Sequence, residues 1–135
     1  MASLVKSEEY PVRTEHDVVI ARKEVRRLSI ELKFSLVDQT KMVTAASELA
    51  RNTVIYGGGG RMRCDVVSDG IKTGLRLVFE DEGPGIPNMD LAMTDGWTSG
   101  SGMGMGLTGT KRLVNEFEIW SEVGKGTRVT ITRWK

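Results

Sequence analysis

Cysteine and histidine are nearly missing from this sequence: Cys64 and His16 stand alone. A lone cysteine excludes an intrachain disulfide and suits a reducing compartment. With one histidine beside it, the usual zinc ligand sets are out of reach. Nor is there an excess of one charge, since 19 basic residues against 18 acidic ones leave a net charge of +1. Such a balance offers no electrostatic reason to expect a nucleic-acid or anionic-membrane partner. The densest basic cluster, Arg22, Lys23, Arg26 and Arg27, is interleaved with Glu24 and followed by Glu31, which marks a solvated helix face. Long apolar runs are lacking too. The longest uncharged stretch, Gly96 to Thr110, is rich in glycine and too short and polar to span a bilayer. The first ten residues hold no charged segment followed by an apolar run, so no signal peptide is expected. A cytoplasmic protein is the expectation.

What is present is an ordinary globular composition, 39% hydrophobic and 27% charged, in 135 residues. That length suits one domain, residues 1–135, burying roughly two-thirds of the surface of the unfolded chain. Glu8 to Arg13 reads as a short edge strand. Thr14 and Asp17 form a capping-box signature, and Val18, Ala21, Val25, Leu28 and Leu32 recur at helical spacing to about Lys33. Ser35 with Asp38 repeats the signature and opens a second helix to about Tyr56. That helix is apolar over most of its girth, from Met42 and Val43 through Ala45, Ala46, Leu49, Ala50 and Val54, so it must be buried on more than one side. A polar stripe interrupts it at Thr44, Glu48 and Asn52. Met62, Cys64 and Val66 alternate with Arg61, Arg63 and Asp65, and Leu75, Leu77 and Phe79 with Arg76 and Glu80, which predicts an antiparallel hairpin. Patterning then vanishes from Gly83 to Gly106, a length of loop that is usually functional or disordered. A third helix, about Met105 to Asn115, precedes strands Phe117–Val123 and Thr127–Arg133, joined at Gly124-Lys125-Gly126. Paired helices and paired strands predict an α+β sandwich of two layers, its sheet mixed but mostly antiparallel, with helices on one face.

Chemistry concentrates at three places. Glu48 and Asn52, four residues apart on a helix, project from one face about 6 Å apart along its axis. One can take a proton; the other offers an amide oxygen suited to a hard cation such as Mg²⁺. Taken alone, such a pair also serves as a plain surface contact. Next, Asp81 ends a strand and enters Gly83-Pro84-Gly85, placing an acceptor for an exocyclic amine beside backbone that can approach a flat ligand. A simple strand-to-loop turn has the same punctuation. Third, Gly100-Ser-Gly-Met-Gly-Met-Gly106 leads into a helix, and alternating glycines expose N–H groups to which phosphate is a natural ligand. Gly104, Gly106 and Gly109 match G-x-G-x-x-G, yet no strand precedes them, and the Gly-Lys-Ser/Thr of a P-loop is absent.

In this order and spacing, Glu48-Leu-Ala-Arg-Asn52, Asp81-Glu-Gly-Pro-Gly85 and Gly102-Met-Gly-Met-Gly106-Leu resemble the N, G1 and G2 boxes of the GHKL ATPase and kinase superfamily. Gly126-Thr127 is similar to its late Gly-Thr. The resemblance covers about residues 14 to 134. Ser47 to Asn52 and the short lid, about Pro87 to Gly104, resemble small bacterial partner-switching kinases of the stressosome type, with anti-sigma-factor kinases as close relatives. The fold implied is the Bergerat ATP-binding fold. The resemblance implies Glu48 as general base and Asn52 as ligand of Mg²⁺. It further implies that Asp81 binds the adenine amine of ATP, that Gly83 and Gly85 admit the base, that Gly102, Gly104 and Gly106 contact phosphates, and that Thr127 sits by adenine. The implied activity is a protein serine/threonine kinase acting on a STAS-domain antagonist or scaffold protein, then freed to engage a PP2C-type phosphatase. An ATP-dependent sequestering module, such as an anti-sigma factor that binds a sigma factor, is the alternative. Met93, Trp97 and Met103 of the lid are candidates for a partner surface or for core packing.

Overall fold

A computed structural model of the chain describes residues 3–86 and 106–135. In chain order these form β1 (Ser3–Val12), α1 (Glu15–Glu31), α2 (Leu36–Ile55), β2 (Gly60–Ser68), β3 (Thr73–Asp81), α3 (Gly106–Lys111), β4 (Glu116–Glu122) and β5 (Gly126–Trp134). The edge strand starts earlier than expected, and the third helix stops earlier, at Lys111.

Capping residues set the helix starts. Asp17 N–H donates to Thr14 Oγ1 at 3.2 Å, and Thr14 N–H donates back to Asp17 Oδ2 at 3.3 Å, a complete capping box. The other end of α1 closes where Lys33 takes a φ of 60° and Phe34 N–H turns back to the Ser29 carbonyl. Ser35 Oγ accepts the Asp38 N–H at 3.1 Å at the start of α2. The carboxylate of Asp38 is engaged elsewhere: it accepts from Arg133 on β5.

The strands lie in the order β1-β2-β3-β5-β4. The sequence pattern predicts some parallel pairing, but every pairing among the described strands is antiparallel. Hairpins account for β2–β3 and β4–β5, while β1 reaches β2 by way of α1 and α2, and β5, the second strand of its hairpin, lies against β3.

One sheet face carries Met62, Cys64, Leu75, Leu77, Phe79, Val129 and Ile131 into the core, where they meet Ala45, Ala46 and Leu49 of α2. Above them Val18, Ala21, Val25 and Leu28 bring α1 onto the same cluster. With α1 along one side and the sheet beneath it, α2 is apolar over most of its girth for that reason. The sheet's other face is polar. The alternation predicts Asp65 there among exposed residues, yet Asp65 is 1% exposed. Arg63 and Arg76 fold over it with ion pairs of 3.1 and 2.9 Å, and Ser7 Oγ donates to it at 2.8 Å. In the basic cluster on α1, Arg27 is taken up by Glu8, Glu24 and Glu31, while Arg22, Lys23 and Arg26 lie on the outer side of the helix as the sequence pattern leads one to expect.

Candidate functional site

The polar stripe of α2 faces inward. Glu48 is 7% exposed, and its Oε1 is buried with no hydrogen-bond partner among the described residues. Asn52 Oδ1, one turn further along, is in the same condition. An unpaired buried acceptor costs stability, so two of them on one face mark a place shaped for something other than the fold. Burial pushes the Glu48 carboxyl above its ordinary value, with the Gly106 backbone N–H and the Arg51 charge pulling the other way. A carboxylate so placed is a better base than an exposed one. Outside it, a cleft of about 250 Å³ is lined by Arg22 and Arg26 of α1 and by Thr40, Thr44, Ser47 and Glu48.

Asp81 ends β3, and its carboxyl too is raised by burial, partly offset by backbone hydrogen bonds with Gly83 and Thr127. Gly83 N–H donates to Asp81 Oδ1 at 2.9 Å. The carboxylate rests on the end of α2: a Cβ on Gly57 would lie 2.5 Å from Asp81 Oδ2. Gly83 touches the same place, because its own Cβ would fall 2.7 Å from Gly57 Cα. Gly57 N–H in turn donates to the Asn52 carbonyl at 3.2 Å. The acid at the end of β3 thus abuts the turn that follows the residue carrying the unpaired amide oxygen.

The turn after Asp81 is held by the β4–β5 hairpin. Gly124 N–H donates to Pro84 O at 2.9 Å, and Ile86 N–H to Ser121 Oγ at 2.7 Å. Gly85, at a φ of 79°, lies so close to Glu122 that a Cβ would fall 2.4 Å from its carbonyl oxygen. Thr127 pairs with Asp81 across β3 and β5, and its Oγ1 is 2.9 Å from Ser121 Oγ.

Of the residues the sequence points to, Glu48 and Asn52 share one face of α2, Gly106 begins the helix α3 that packs on α2, and Asp81, Gly83, Gly85 and Thr127 gather at the end of β3. Gly102 and Gly104 lie outside the described residues, as do Met93, Trp97 and Met103. Sequence reasoning misses two participants. Gly57 reads only as a helix stop, although its neighbour across the fold is Asp81. Ser121 carries no signal, because its role is set by a pairing between distant segments.

The site fits a magnesium-bound adenine nucleotide by its donor set: an unpaired amide oxygen, an unpaired carboxylate oxygen, and a second carboxylate flanked by glycine backbone. Comparison with known proteins bears on the family and the fold. The RsbU and RsbW domains of a Mycobacterium tuberculosis protein superpose with a TM-score of 0.66 at 20% identity, over 97% of this chain and 33% of that one, a likeness of fold. The serine/threonine-protein kinase RsbT of Bacillus subtilis is 44% identical over 91% of this chain and 92% of its own. An anti-sigma F factor of Clostridium kluyveri is 32% identical over 84% of this chain and 82% of its own. Residues 37–135 match the model for the histidine kinase-, DNA gyrase B- and HSP90-like ATPases. This chain belongs to that ATPase family, as its three motifs and its fold lead one to expect.

Proposed function

We propose that residues 1–135 act as one kinase domain that phosphorylates a serine or threonine of a STAS-domain antagonist or scaffold protein in a cytoplasmic partner-switching pathway. The observation that carries this is the pair of unpaired acceptors, Glu48 Oε1 and Asn52 Oδ1, on one face of α2. Buried acceptors without partners are uncommon in a fold, and two on one helix face beside a cleft are accounted for by a ligand that completes them.

Asn52 is the residue that would hold Mg²⁺, through Oδ1, and Asp81 the one that would bind the adenine amine, with Gly83 and Gly85 leaving room for the ring and Thr127 beside it. Gly102, Gly104 and Gly106 would offer backbone N–H groups to phosphate oxygens. When bound, the metal neutralises triphosphate charge, which is the main demand of phosphoryl transfer. Glu48 takes the proton of the partner's hydroxyl as that oxygen bonds to the γ-phosphorus and the bridging oxygen departs with ADP. The cleft beside Arg22 and Arg26 gives the hydroxyl its approach. Phosphorylation then releases the kinase to a further target such as a PP2C-type phosphatase.

The resemblance to anti-sigma F factors supports a second reading, an ATP-dependent module that sequesters a sigma factor. Transfer of labelled γ-phosphate to STAS proteins from the same source separates the two. Label on a STAS protein with wild-type chain, and none with Glu48→Ala, is the expected result. Capture of a sigma factor without any transfer would favour the second reading.

A further inference from the structure

The outer side of α1 carries a second stripe beside the one it buries. Val19, Lys23, Arg26 and Ile30 follow at steps of four, three and four, with Arg22 beside them. They share one side of the helix over about three turns, or about 16 Å. Val19 is 42% and Ile30 55% exposed, and with Val43 of α2 they line a groove of about 550 Å³ where the two helices meet. A lone apolar residue on a surface needs no explanation, but these two stand at the ends of a row of cations.

Glu24 and Glu31, the carboxylates nearest those cations along α1, are taken up by Arg27 at 3.2 and 2.5 Å, and Glu8 of β1 closes on the same guanidinium at 2.9 Å. The side chains of Arg22, Lys23 and Arg26 are exposed and have no ion-pair partner among the described residues. Three like charges left together attract a ligand of the opposite sign. The groove also opens into the cleft outside Glu48, since Arg22, Arg26 and Val43 line both. An occupant of the groove therefore extends to that carboxylate. Its class follows from the lining. Single-stranded nucleic acid asks for aromatic side chains on which bases stack, and the groove has none. Anionic lipid is held by clusters of roughly four to eight basic residues, more than the three available here. A protein segment with carboxylates flanked by apolar side chains matches both the charges and the apolar ends.

We propose that this groove is the docking surface for the substrate protein: an acidic segment with an apolar anchor, next to the acceptor hydroxyl, seats along α1 and delivers that hydroxyl to Glu48. The delivery rests on the kinase reading; the groove's preference for acidic segments does not.

The test uses the full chain and the STAS proteins of the phosphotransfer assay. Lys23→Glu and Ile30→Ser alter the groove away from the cleft at Glu48, and both side chains are exposed, so the fold should tolerate them. Each should raise KM for a labelled STAS protein about tenfold or more, with kcat and KM for ATP within about twofold of wild type. Lys72→Glu makes the same charge change between β2 and β3 and should leave all three constants in place. A STAS-protein KM unmoved by both groove variants overturns the proposal. So does an equal rise with Lys72→Glu, which would leave only an effect of net charge. Should the wild-type chain label no STAS protein, the kinase reading falls and the groove is decided by resonance. The amide signals of Val19, Lys23 and Ile30 are then followed in the isotopically labelled chain. The probe is a synthetic amphipathic peptide with leucine near each end and glutamates between, set against the same peptide with glutamines. Movement with the glutamate peptide and little with the glutamine one upholds an acidic docking groove. No movement, equal movement with both, or movement only with oligothymidylate or phosphatidylglycerol vesicles overturns it.

Discussion

Asp81 lies directly on the bare backbone of Gly57: a Cβ at residue 57 would sit 2.4 Å from Asp81 Cγ. No pair of unbonded carbons tolerates that distance, so a side chain at 57 must push the carboxylate out of place. The clash reaches Asp81 Cβ, at 2.6 Å, which no rotamer moves, so the end of β3 must shift away from the turn after α2 and take the carboxylate with it. Gly57→Ala should therefore lower the melting temperature and, in the folded fraction, bind ATP about ten- to a hundredfold more weakly. Calorimetric titration with Mg·ATP checks this, and an unchanged Kd would show that Asp81 does not hold the base.

Asn52→Ala removes the unpaired amide oxygen while leaving its backbone carbonyl to accept from Gly57. The variant should lose most of the gain in nucleotide affinity that magnesium gives the wild type, with affinity in chelator little changed. Titrating ATP with and without magnesium measures both quantities. Equal magnesium gain in the two proteins would remove Asn52 from the metal's shell.

Glu48 should also shape stability, and the sign follows from its burial. Its carboxyl is raised above the ordinary 4.5, so the folded protein holds this proton more tightly than the unfolded chain does. The stabilising contribution is complete below 4.5 and is lost as pH rises through the higher folded value. Glu48→Gln, which cannot ionise, should accordingly melt at a higher temperature than wild type at pH 8, with the gap closing as pH falls toward 4.5. The same variant should transfer phosphate on the order of 10² to 10⁴ more slowly. Thermal melts across pH read the first effect, and a gap that widens on acidification would contradict it.

Asp65 behaves in the opposite sense. Burial pushes its carboxyl up, but hydrogen bonds and charge from Ser7, Arg76 and Arg63 outweigh that and hold it below the ordinary 3.8. Its contribution is present above 3.8 and fades as pH falls through the lower folded value. Removing one partner of a buried pair costs about 3 kcal/mol or more, less where the arginines regain water. Asp65→Ala should thus lower denaturant stability by about 2 to 3 kcal/mol at pH 7 while leaving ATP affinity of the folded fraction intact. A loss under about 0.5 kcal/mol would mean the network is mere surface charge.

Much of the site is readable from local chemistry. Glu48 and Asn52 stand out because helical spacing alone puts them on one face, and capping at Thr14 and Ser35 locates the helices that carry the core. The reach of that logic ends where two distant segments meet. Gly57 looks like punctuation after a helix until β3 lays Asp81 across it. The Ser35–Asp38 spacing promises a second capping box, but Arg133, ninety-five residues away, claims the carboxylate. Alternation likewise sends Asp65 to the open face of the sheet; only the neighbouring strand supplies the Arg76 that covers it.

The amino-acid order, through periodicity and capping, determined the elements, the acid and amide on one helix face, and the glycine-rich turns, because each of these is settled by interactions within a few residues. What the tertiary structure decided is which acceptors are left without partners, which glycines have a carboxylate or a carbonyl pressed against them, and how α3 is aligned on α2. Those outcomes depend on strand register and helix packing between remote parts of the chain, where burial makes an unpaired oxygen costly and a missing Cβ indispensable.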